Sequence, residues 1–129
     1  MIRRPPRSTL SSSSAASDVY KRQSMPGALT PTEVINAWDA GADVVKIFPG
    51  SAVGPDYLKA LQGPFPGIRL MPTGGVDIGN VKEWLDNGAF ALGVGSNLFD
   101  KKLLNAGDWK GLEARARAFT DAVAAAREK

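Results

Sequence analysis

The chain contains no cysteine and no histidine. Disulfides, thiolate nucleophiles, Cys/His zinc sites and histidine general bases are therefore excluded. No apolar run approaches 18 residues, so no transmembrane helix is expected. Aromatics make up only 8% of the residues. Chemistry must come from Lys, Asp, Glu, Thr, Ser or the backbone. The 129 residues suffice for one domain but fall short of the ~250 typical of a (β/α)₈ barrel.

Charge is unevenly spread. The formal net charge of +3 comes from the N-terminus: residues 1–23 hold five cations (Arg3, Arg4, Arg7, Lys21, Arg22) and one anion, Asp18. The other 106 residues hold 11 cations and 12 anions, a net −1. A nearly neutral body argues against nucleic acid as a partner. The N-terminal stretch also carries Pro5-Pro6 and the run Ser11–Ser14, with no apolar periodicity. It cannot bury enough surface to offset its ordering entropy. Residues 1–24 are expected to be a disordered tail that reads as translated sequencing-adapter sequence. A targeting peptide or a natural tail are the alternatives, although Pro5-Pro6 interrupts any amphipathic helix.

From Thr30 onward helices and strands alternate. Thr30-Pro31-Thr32-Glu33 is a helix start, with N-cap Thr, Pro at N1 and Glu at N3 closing a capping box. Gly41 is a candidate C′ residue. Asp43–Phe48 then reads as a buried parallel strand interrupted by one lysine. The unit repeats at a spacing of 47: Val34 aligns with Val81, Gly41 with Gly88, Ala42 with Ala89 and Lys46 with Gly93. Between the copies come a short helix near Pro55–Leu61, a stop at Gly63-Pro64 and a strand at Ile68–Met71. The stripe Trp109, Leu112, Ala116, Phe119, Val123, Ala126 predicts a final helix with one face on the core. Three parallel strands (43–48, 68–71, 89–94) follow, as in a barrel fragment; an open doubly wound sheet is the other possibility.

The unusual residues fall at the carboxyl ends of these strands, where barrel active sites form. Val44, Lys46 and Phe48 share one face of their strand, opposite Val45 and Ile47. A lysine desolvated there releases its proton more readily, and its free amine can attack a carbonyl to form a Schiff base. A lysine reaching a carboxylate is the plainer reading, but no acid lies within three residues after Lys46. Thr73-Gly74-Gly75 and Gly93-Val94-Gly95-Ser96 bring backbone N–H groups close to an anion without an obstructing Cβ. A short helix at Asn97–Leu104 would complete a phosphate site of the barrel type.

These motifs, in "GADVVKIFPGSAVGPDYLKALQGPFPGIRLMPTGGV" and "GAFALGVGSNLF", resemble the C-terminal part of the bacterial 2-keto-3-deoxy-6-phosphogluconate (KDPG) / 4-hydroxy-2-oxoglutarate (KHG) aldolases. The resemblance spans roughly residues 25–127. It implies an α/β fold, with residues 25–129 forming about strands six to eight of a (β/α)₈ TIM barrel. Met25–Ala28 would be the loop after strand five. By the same resemblance Lys46 is the Schiff-base lysine, and Phe48 and Pro49 wall its pocket. Thr73 contacts substrate, and Gly74, Gly75, Gly95 and Ser96 hold phosphate. It implies no metal or other cofactor, a keto-acid (phospho)sugar substrate, a cytoplasmic location, no membrane partner and a homotrimeric intact parent. The activity implied is class I retro-aldol cleavage of KDPG to pyruvate and glyceraldehyde 3-phosphate, or of KHG to pyruvate and glyoxylate. The family's general-base glutamate and pyruvate-holding residues lie on early strands that this chain does not carry, so the chain itself is expected to be inactive. The alternatives are another phosphate-binding barrel (isomerase, epimerase or synthase) or a catalytically dead phosphate-binding fragment.

Overall fold

A computed structural model describes residues 22–128. Most of the N-terminal tail therefore lies outside the described residues. Ser24, assigned to that tail, is buried. Its carbonyl accepts the N–H groups of Asp43 (2.9 Å) and Val44 (3.3 Å), and its own N–H donates to Asp43 Oδ2 at 2.8 Å.

Three parallel strands lie in chain order: β1 (Gly27–Ala28), β2 (Val45–Ile47) and β3 (Leu70–Pro72). Lys46 pairs with Gly27 on one side and Met71 on the other. The loop expected at Met25–Ala28 is thus partly a strand. The carbonyls of Pro26 and Ala28 accept the N–H groups of Lys46 (2.8 Å) and Phe48 (3.1 Å). Two residues, Gly and Ala, carry no alternation and little strand propensity, so backbone pairing rather than side-chain pattern makes this strand.

The strand expected at 89–94 is reduced to a parallel bridge between Thr73 and Gly93. Phe90 N–H donates to Leu70 O and Gly93 N–H to Pro72 O, both at 2.8 Å. The acceptors are two residues apart and the donors three, so one extra residue breaks the ladder, as in a bulge.

Helix α1 (Pro31–Asp39) begins as the capping box predicts. Thr30 Oγ1 accepts Glu33 N–H (3.3 Å), and Glu33 Oε1 accepts Thr30 N–H (3.0 Å). Gly41 and its repeat partner Gly88 have φ of 98° and 101°, a left-handed conformation that glycine adopts without strain. Helices α2 (Pro55–Gln62), α3 (Val81–Asp86), α4 (Lys101–Asn105) and α5 (Trp109–Arg127) complete the chain.

One core joins these elements. Val45 and Ile47 of β2, fully buried, pack with Val34 and Trp38 of α1, Leu58 and Leu61 of α2, Leu70 of β3 and Trp84 of α3. On β2 the opposite face carries Lys46, so the core claims alternate residues and leaves the lysine free for other work. The stripe on α5 buries Phe119 and Ala126, but Trp109 is 68% exposed. Trp109 is the first helical residue, beyond the reach of the layer that covers Phe119.

Candidate active site

A cavity of about 230 Å³ opens at the carboxyl ends of β2, β3 and the 93–96 segment. Phe48, Thr73, Gly74, Gly75, Gly95 and Ser96 line it, together with Val76, Gly93 and Asn97. Six of the eight residues expected from sequence are therefore gathered in one place. Pro49 stands behind them, since a Cβ on Gly74 would lie 3.7 Å from Pro49 Cα. Lys46 adjoins the cavity through Phe48: its Nζ sits 5.0 Å from the centroid of the Phe48 ring. Lys46 is half-buried, more open than the enclosed position expected. Val44 on the same face is buried but Lys46 itself is only half-buried, so the desolvation argued from strand burial applies only in part. No described residue pairs with its ammonium.

Close backbone contacts explain the glycines. Gly50 N–H donates to Thr73 O at 2.7 Å, and a Cβ at Gly50 would stand 2.8 Å from Gly74 O. The turn after β2 is thereby packed onto the loop after β3. None of the N–H groups of Gly74, Gly75, Val76, Gly95, Ser96 and Asn97 donates a hydrogen bond to another described residue. Two loops of unpaired donors at one cavity are a backbone arrangement that can receive an anion.

The short helix behind this site begins later than expected, at Lys101 rather than Asn97. Asp100 occupies its N-terminus, accepting the N–H groups of Lys102 (2.8 Å) and Leu103 (3.2 Å). A carboxylate already satisfies those donors, which leaves the unpaired N–H groups of the 95–97 turn as the ones open to an anion. Asn97 and Arg115 were not identified from sequence. Asn97 Nδ2 donates to Val76 O at 2.8 Å, and Arg115 Nε donates to Asn97 O.

Across Phe48, a second cavity of about 290 Å³ is lined by Gly27, Ala28, Leu29 and Glu33. The Glu33 carboxylate is committed to the helix cap. A larger, mainly apolar cavity of about 330 Å³ lies behind residues 91–94, against Leu85, Phe119 and Val123. Its charged group, Arg127, donates to Phe90 O at 2.8 Å. Among the described residues no three His, Cys, Asp or Glu side chains group into a metal site, and no helix is long and apolar enough to cross a membrane.

The family described as "KDPG and KHG aldolase" matches residues 10–115. The chain belongs to this family. The match begins inside the segment set apart as a tail. Over 75 residues the chain is 45% identical to the 2-dehydro-3-deoxy-6-phosphogalactonate aldolase of Escherichia coli, covering 57% of this chain and 37% of that protein. A native KDPGal structure superposes with a TM-score of 0.74 at 33% identity, over 94% of this chain and 58% of the other. The KDPG aldolase of Legionella pneumophila, with pyruvate captured at low pH as a covalent carbinolamine intermediate, gives a TM-score of 0.62 at 26% identity, over 78% of this chain and 46% of that one. The chain spans less than half the length of the curated relatives it matches.

Proposed function

We propose that residues 25–129 are the lysine-and-phosphate half of a class I aldolase acting on KDPG, KHG or a close keto-acid (phospho)sugar. The observation that carries this reading is the unpaired Lys46 amine, 5.0 Å from the Phe48 ring that walls the glycine-lined cavity. Membership of the KDPG and KHG aldolase family supports it.

In this reading the Lys46 amine adds to the C2 ketone of the substrate and forms a carbinolamine, which loses water to an iminium. A base removes the C4 hydroxyl proton, the C3–C4 bond breaks, and its electron pair passes into the iminium as an enamine. The C4 aldehyde leaves. Protonation of the enamine at C3 and hydrolysis then release pyruvate and restore the amine. Thr73 Oγ1 is buried without a hydrogen-bond partner among the described residues, so a substrate oxygen would satisfy it. The unpaired N–H groups of Gly74, Gly75, Gly95 and Ser96 would hold the phosphate. Another phosphate-binding barrel would need the glycine loops but not the lysine.

We also read the parallel segments as one arc of a (β/α)₈ barrel, β1 adding a strand before the three expected. The cytoplasmic location and the trimeric parent rest on the family resemblance alone.

Borohydride trapping tests the assignment. Treated with pyruvate and sodium borohydride, the chain should carry a reduced adduct on the peptide containing Lys46, and Lys46→Arg should carry none. An adduct confined to other lysines overturns the reading.

A further inference from the structure

We propose that Asn97 and Arg115 are positioning residues that lock the two glycine loops at the separation an anion needs. The inference rests on the anion site of the preceding reading and adds the device that shapes it.

Backbone pairing barely joins the two loops. The 93–97 segment meets the loop after β3 through the single bridge Thr73–Gly93 and then leaves the sheet. Gly74 and Gly75 both have positive φ, and glycine loses more conformational freedom on ordering than any other residue. An anion spanning such loops would bear the cost of fixing them, unless the protein fixes them beforehand.

Asn97 supplies that fixation. Its Nδ2 crosses from one loop to the other and donates to Val76 O at 2.8 Å. The turn that carries Asn97 is closed by Gly95 O, which accepts the N–H groups of Leu98 (2.9 Å) and Phe99 (3.0 Å). Arg115, a half-buried residue of α5, donates its Nε–H to Asn97 O and ties the turn to the longest helix. Asn97 thus has its side chain on one loop and its carbonyl on a helix. The unpaired N–H groups of Gly95 and Ser96 sit immediately before it in the chain. Neither residue has to touch the anion with its side chain for this to work.

Titration of the whole chain with inorganic phosphate, read by calorimetry, tests the proposal alongside hydrogen exchange of residues 74–76 and 94–99 without ligand. Asn97→Ala should weaken phosphate about five- to tenfold, the scale of one lost hydrogen bond. It should also speed exchange in both loops while the denaturation midpoint of the core stays in place. Asn97→Asp should weaken binding more, because a carboxylate would face Val76 O. Arg115→Gln should act in the same direction, which keeps the test open if Asn97→Ala fails to fold. Wild-type phosphate affinity and loop exchange in both Asn97→Ala and Arg115→Gln would overturn the positioning role alone. A wild-type chain that ignores phosphate would overturn the anion-site reading; slow loop exchange lost in the variants would then still mark the clamp.

Discussion

Gly93 and Thr73 compete for one space: a Cβ on Gly93 would stand 2.1 Å from Thr73 Oγ1 and 3.0 Å from Thr73 Cβ. The absence of a side chain at 93 is what lets the Thr73 hydroxyl sit where it does. Overpacking of this kind costs ~1–3 kcal/mol. Gly93→Ala should therefore lower the denaturant midpoint of the chain. Thr73→Ala should recover part of the loss, because it removes the 2.1 Å conflict, and a double-mutant cycle in urea measures the coupling. Strict additivity would show that the two residues do not share the space.

Gly95 differs from Gly93. No described residue lies within 4 Å of the position its Cβ would take, at the lining of the cavity. Gly95→Ala should fold normally. Gly95→Asp should fold as well but bind phosphate at least tenfold more weakly, since two like charges ~5 Å apart repel by about 3 kcal/mol at the effective dielectric of a protein surface. Calorimetric titration with phosphate separates the two variants.

The capping box makes stability depend on pH in one direction. The Thr30 backbone N–H, followed by the Thr30 hydroxyl, holds the Glu33 carboxyl below its ordinary value of 4.5. A depressed folded-state value means the carboxylate favours folding at pH above 4.5, and that contribution disappears as pH falls through the lower folded value. Urea midpoints of wild type and Glu33→Gln should differ at neutral pH and converge in acid. Thr30→Ala, which removes the cap itself, should cost ~1 kcal/mol.

The sheet has two exposed ends among the described residues. Pro26 O and Ala28 O face β2, which turns the backbone of Gly27 away from the sheet. At the other end the 91–94 segment has no described strand beyond it. Phe90 and Phe99 are also largely exposed. Unpaired edges flanked by apolar groups recruit other chains. Light scattering after size exclusion should find the chain self-associated at micromolar concentration. A sharp monomeric peak with a cooperative unfolding transition counts against this.

Catalysis by the chain alone should be absent. Among the described residues no carboxylate lines the cavity of Thr73 and Ser96, and Glu33, across Phe48, already accepts two hydrogen bonds from Thr30. A positioned acid–base group is typically worth ~10²–10⁴ in rate. A coupled assay of pyruvate release from KDPG should read background, even where borohydride traps an adduct on Lys46. Turnover above that of Lys46→Ala would show that a base has been overlooked.

Local signals made much of this protein legible. Thr30, Pro31 and Glu33 announce a helix start because capping involves only neighbours in the chain. Gly41 and Gly88 mark equivalent helix ends because only glycine adopts their φ without strain. The apolar run around Lys46 announced a buried strand, and Val44, Val45 and Ile47 are buried. The motifs around Lys46, Thr73 and Gly95 identified most of the cavity lining in advance.

What remained hidden depends on contacts between distant segments. Gly27–Ala28 becomes a strand only because β2 offers it a partner 19 residues later in register. The extra residue between Phe90 and Gly93 dissolves a strand that its apolar sequence predicted. The enclosure of Lys46 was overestimated, because burial depends on what covers the opposite face of the strand. Asn97 meets Val76 across 21 residues and Arg115 across 18, pairings for which polar residue types carry no signature. Backbone propensity and capping are encoded within a few residues. Which polar groups converge on a cavity is decided when the helices and strands pack, and only the tertiary structure records that outcome.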